Sequence, residues 1–113
     1  MPISYTDAGA VRTIVVSGRL DVEGTNSVSA QLVDLAQGAQ KGVVVDISPL
    51  KFLASIGIRA LITAAKAVKA RGGKMVLVVD SGSSVQMSIK ATGVDQLVPV
   101  FGDPAAAEKA AAA

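Results

Sequence analysis

Val43 to Leu61 reads VVVDISPLKFLASIGIRAL. The apolar run Val43 to Val45 ends in Asp46. A short linker carries Ser48, Pro49 and Phe52, and Ser55 and Gly57 then open a segment with helical periodicity. The order is strand, loop, helix, with a hydroxyl at the helix entrance. A helix N-terminus has unsatisfied N–H groups and a partial positive charge, so it favours a polar cap or an anion. Ser55 is therefore read either as an N-cap or as a phosphate carrier.

Outward from this stretch, strands and helices alternate. Ile3 to Thr6 and Val11 to Ser17 are strand candidates joined by the turn signal Asp7-Ala8-Gly9-Ala10, which predicts an antiparallel hairpin. A helix follows, starting between Glu23 and Asn26, with Val28, Leu32 and Leu35 at helical spacing. Gly42 to Ile47 is apolar as far as Asp46, as expected of a strand covered on both faces. From Ser55 to Arg71, Ile58, Leu61, Ile62, Ala65 and Val68 share a helical face, and Gly72-Gly73 ends the helix. Lys74 to Asp80 is another buried strand. Ser81 to Ser84 can cap a helix through Thr92, which Gly93 stops. Gln96 to Phe101 is expected to be a peripheral strand because it contains Pro99. Asp103-Pro104 suits a helix start. The alanine-rich tail after it carries almost no large apolar side chain to dock, and its end is expected to fray.

Parallel strands require crossover connections. The expected fold is thus an α/β sandwich whose mixed, mostly parallel sheet opens with a β-hairpin. It has about five strands and four helices, the helices predominantly on one side. With 113 residues, half of them hydrophobic, one domain over residues 1–113 is expected. The strands at Val43–Val45 and Met75–Val79 should lie adjacent and parallel at the sheet centre, with the helix from Ser55 as their crossover.

Composition narrows the function. Histidine and cysteine are absent, which removes the commonest general base, thiol chemistry and the usual metal ligands. No phosphate-cradling glycine motif follows a strand. No enzyme activity, metal or cofactor is expected. Lys66, Lys69, Arg71 and Lys74 sit at a helix end, where cations complement the dipole, and few aromatics are available to stack on bases. Nucleic acid is therefore not an expected partner. No apolar run approaches the ~20 residues of a membrane helix, and no secretory signal is visible. A cytoplasmic protein without direct membrane insertion is expected.

Asp46 is read as loop support, bonding the backbone that leads to the helix of Ser55. Ser48 is read in the same way. Asp21 borders the same surface, Phe52 is an anchor or a contact, and Lys51 and Arg59 flank the site.

Three segments resemble the STAS domain family of bacterial anti-sigma-factor antagonists, also found at the C-terminus of sulfate transporters. They are Gly18-Arg19-Leu20-Asp21; Asp46-Ile47-Ser48 through Phe52, Ser55, Gly57 and Leu61; and Val85 through Gly93-Val94 to Val98-Pro99-Val100. The resemblance implies a binding module that sequesters an anti-sigma factor, itself a serine kinase of the ATP-binding type. Phosphorylation at the start of the second helix then switches the module off. A phosphatase would reverse the switch. Family members place hydroxyls at the two positions before the glycine, often with an aspartate ahead of them. Here Ala54, Ser55 and Ile56 stand there, leaving Ser55 as the acceptor. The implied partner surface comprises Asp21, Ser48, Phe52, Ser55, Ile56, Gly57 and Arg59. The alternative is an accessory subunit of a membrane transporter ATPase with no phosphoswitch. A two-component receiver domain fits poorly, because only Asp7 ends the first strand where that chemistry needs an acidic pair.

Overall fold

A computed structural model of the chain describes residues 3–39 and 41–112. Strands β1 (Ile3–Ala8) and β2 (Val11–Val16) form the expected antiparallel hairpin, with Ile3 opposite Val16 and Ala8 opposite Val11. A three-residue strand, β3 (Gly18–Leu20), leads into α1 (Val22–Gly38). Next come β4 (Gly42–Asp46), β5 (Leu50–Leu53) and α2 (Ser55–Ala70), followed by β6 (Lys74–Val78) and α3 (Ser84–Thr92). The chain continues with α4 (Val94–Leu97), β7 (Val100–Phe101) and α5 (Pro104–Ala112).

The main sheet has the order β1-β2-β4-β6-β7, parallel except for the opening hairpin. β4 and β6 are adjacent, with Val43 opposite Met75 and Val45 opposite Leu77, and α2 is the crossover between them. Successive strand residues point to opposite faces. Val43 and Val45 therefore join the core beneath α1 and α2 with Ile14, Leu32, Leu61 and Val68. Val44 points the other way, to a smaller core with Val11, Val76, Val78, Ala107 and Ala111.

Two expectations need correction. Gln96 to Phe101 is not one strand. Gly93 takes a left-handed conformation (φ 76°) that ends α3 and starts the single turn of α4, so pairing is confined to Val100–Phe101. Pro99 causes no loss there, because only its carbonyl is used, accepting from Leu77 N at 2.9 Å. With α4, the described residues hold five helices.

The alanine-rich tail does not fray within the described residues; its last residue, Ala113, lies outside them. α5 docks on the sheet with Ala107 and Ala111 fully buried. Its small side chains let the helix backbone come close, and a β-carbon at Gly42 would collide with the Ala111 carbonyl. Lys41 Nζ donates to Ala112 O at 2.9 Å, holding the helix end.

Candidate functional site

The sequence-predicted residues gather around the N-terminus of α2, on a scaffold that the main sheet does not supply. β3 and β5 form a separate two-stranded parallel sheet. Ala54 N donates to Leu20 O at 2.9 Å, extending this pairing to the residue before α2. Gly57 is buried in the first turn of α2. A methyl added there would stand 2.8 Å from Leu20 Cβ and 2.9 Å from Leu53 Cδ1, so only glycine admits the close packing of α2 on β3 and β5. Exposed surface is therefore presented by its neighbours Ser55 and Arg59 and by half-buried Ile56.

Ser55 is not the N-cap of α2. Ala54 occupies that position in extended conformation (φ −90°, ψ 169°), and no side chain caps the helix. Ser55 is the first helical residue, exposed, one position past the point from which a hydroxyl reaches back to the N–H groups of the first turn. The Ile58 N–H is satisfied by Ala54 O at 3.1 Å. With no acidic residue in the first turn, the positive end of the helix is left uncompensated by its own side chains.

The preceding loop is fixed by Asp46. Its Oδ1 accepts from Ser48 N at 3.0 Å and from Ser48 Oγ at 2.6 Å. Leu50 N then donates to Ile47 O at 3.0 Å, closing a tight turn around Ser48 and Pro49. A carboxylate that accepts from the backbone two residues on holds such a turn without regular secondary structure. This turn aims the chain from β4 into β5.

Asp21 caps α1, its Oδ1 accepting from Gly24 N at 2.9 Å. That N–H, together with nearby Arg19, holds the Asp21 carboxyl below its ordinary range against the opposing effect of desolvation. Arg19 Nε lies 3.6 Å from Asp21 Oδ2, and the Arg19 guanidinium lies 4.5 Å from the centre of the half-exposed Phe52 ring. Arg19 and Phe52 are opposite one another in the β3–β5 ladder. Sequence reading singled out Phe52 and Asp21 but passed over Arg19. The GRLD segment was visible, but its pairing across more than thirty intervening residues was not.

Ile56 and Arg59 also line a groove of about 460 Å³ between α1 and α2, together with Asn26, Ala30, Asp34 and Thr63. Asp21, Ser55, Ile56, Arg59 and Phe52 thus lie on or beside the β3–β5 scaffold and the two helix starts it supports. Ser48 belongs to the supporting turn. Among the described residues no group of three or more acidic, histidine or cysteine side chains is placed to hold a metal. No helix among them is long and apolar enough to cross a membrane.

The family model described as "STAS domain" matches residues 3–107. No curated protein sequence matches the chain. Among solved structures, an anti-sigma factor antagonist from Mycobacterium paratuberculosis is similar, with 21% identity and a TM-score of 0.87, over 98% of this chain and 93% of that one. An anti-sigma-factor antagonist (STAS) domain protein from Planctomyces limnophilus has 23% identity and a TM-score of 0.83, over 98% of each chain. The Bacillus cell fate determinant SpoIIAA in its phosphorylated form has 16% identity and a TM-score of 0.68, over 96% of this chain and 98% of that one. At these identities the structural likeness establishes the fold.

Proposed function

The chain belongs to the STAS domain family, and on that premise we propose that it is an anti-sigma-factor antagonist switched by phosphorylation of Ser55. In its unmodified form it binds an anti-sigma factor that is also a serine kinase of the ATP-binding type. It thereby frees a sigma factor. The kinase inactivates it by transferring a phosphoryl group to Ser55 Oγ, and a phosphatase restores it. The chain acts by binding and turns over no substrate of its own.

One observation carries this reading. Ser55 is exposed at the first position of α2, and its hydroxyl has no capping role that phosphorylation would destroy. A phosphate there adds about −1.5 to −2 charge beside uncapped N–H groups, which favour an anion. The domain can carry the modification without unfolding. The partner, docked on Asp21, Phe52, Ile56 and Arg59, meets a dianion where it had met a hydroxyl, and repulsion and desolvation oppose binding. This reading is supported by the anti-sigma factor antagonist SpoIIAA, whose structure is known in both an unphosphorylated and a phosphorylated form.

The lack of an acidic group at Ala54 and of a second hydroxyl at Ile56 favours, as a second reading, an accessory subunit of a transporter ATPase. Affinity capture from the source cell separates the two. An ATP-binding kinase that labels the wild-type chain and not Ser55→Ala supports the antagonist reading. Capture of a transporter ATPase, with no labelling of Ser55 by ATP, overturns it.

A further inference from the structure

The β3–β5 sheet carries an irregularity that lets Leu50 and Leu53 both enter the core and leaves the two residues between them outside. Gly18 is opposite Leu50, but Arg19 is opposite Phe52, so Lys51 is an extra residue in β5. In a regular strand Lys51 and Phe52 would point to opposite faces. Here Leu50 and Leu53 are buried, while Lys51 and Phe52 between them are both exposed. A bulge of this kind re-aims side chains, and bulges recur beside functional sites. It turns Phe52 outward, and the ring becomes a platform for the Arg19 guanidinium at 4.5 Å. Asp21 Oδ2 lies 3.6 Å from Arg19 Nε, an exposed ion pair that favours this placement of the guanidinium, and Asp21 is itself held by capping α1. The Arg19 side chain stays 59% exposed. An exposed guanidinium stacked on an aromatic ring can receive a planar carboxylate through two parallel hydrogen bonds.

We propose that Arg19, seated on Phe52 and flanked by Lys51, is a receptor for an aspartate or glutamate side chain of the protein partner. This rests on the antagonist reading and extends it to two cations that the Ser55 surface alone does not include. Charge complementarity identifies the occupant. Arg19 and Lys51 supply two positive charges and Asp21 withdraws one, so the platform suits a single negative charge better than a dianionic phosphate. The exposed ring edge adds apolar contact to a side chain that lies across it.

The test uses the ATPase captured by the wild-type chain as its probe. Arg19→Ala is expected to weaken binding roughly tenfold, and to flatten its salt dependence, while leaving the melting midpoint within a few degrees. Lys51→Ala is expected to weaken it roughly threefold, mainly by slowing association. Arg19→Lys keeps the charge without the fork and should recover only part of the loss. Arg19→Glu should abolish binding, and a lysine placed at one surface acidic residue of the partner should restore it. Wild-type binding by Arg19→Ala and Lys51→Ala at both low and physiological salt would overturn the receptor while leaving the antagonist reading intact. Failure of the wild-type chain to capture any kinase-type ATPase would instead overturn the antagonist reading. Arg19-dependent binding to phosphatidylglycerol vesicles or single-stranded DNA would overturn the assignment to a carboxylate.

Discussion

The position of Ser55, one residue inside α2, makes a quantitative prediction about its two simplest substitutions. A serine that caps a helix contributes about 1 kcal/mol, lost on change to alanine. Ser55 makes no such bond, and Ala54 holds the cap position. Ser55→Ala should therefore change stability by no more than about 0.5 kcal/mol, with alanine's better helix propensity offsetting the small loss of solvation. Ser55→Asp places a negative charge in a first turn that has none and should stabilise by about 0.3–1 kcal/mol at low ionic strength. Affinity for the kinase-type partner should move the other way. The negative charge should weaken binding by about 1–3 kcal/mol, or 5- to 150-fold, the range of typical switch couplings. Urea denaturation at low salt gives the stability differences, and titration calorimetry against the partner gives the affinities. A loss of about 1 kcal/mol in Ser55→Ala would refute the geometry and restore the capping role. Undiminished partner affinity in Ser55→Asp, together with labelling of Ser55→Ala by the kinase, would remove Ser55 from the mechanism.

Gly57→Ala gains about 1 kcal/mol of helix propensity but forces a methyl to 2.8 Å from Leu20 Cβ, and such overpacking costs about 1–3 kcal/mol. A net loss of about 1 kcal/mol of stability, seen as a lowered denaturant midpoint, is expected, with amide shifts at Leu20 as β3 is pushed from α2; a raised midpoint would contradict the packing argument. Asp21 has a folded-state pKa depressed below its ordinary 3.8, chiefly by the Gly24 N–H. Its charge therefore contributes stability that is present above pH 3.8 and lost as pH falls through the lower folded-state value. Asn caps as well as Asp but does not titrate. Acid titrations of Asp21→Asn should show a shallower decline than wild type in that window, and superimposable curves would refute the assignment.

The elements that carried their own signal in the sequence are those whose burial repeats with a local period. Val43 to Val45 and Met75 to Val79 read as strands covered on both faces because every residue is apolar, and Val44 does face a second core. The face of Ile58, Leu61 and Val68 marked α2, and all three are buried. Asp46 was legible as loop support because its partners, Ser48 N and Oγ, lie two residues away. Docking of α5 was not legible. Alanine carries no pattern, and what admits the helix is the missing side chain at Gly42, far along the chain.

The order of elements, the parallel core and the place of Ser55 at the start of a helix all follow from local patterns of residues. The local role of that serine was set by contacts distant in sequence, since the cap fell one residue earlier, at Ala54, whose N–H bonds to Leu20 O. Tertiary pairing alone also joined Arg19 to Phe52, through two strands of three and four residues broken by a bulge. Strands so short have no periodicity to read, and their pairing is chosen by contacts that close a loop of some thirty residues rather than by neighbours in sequence.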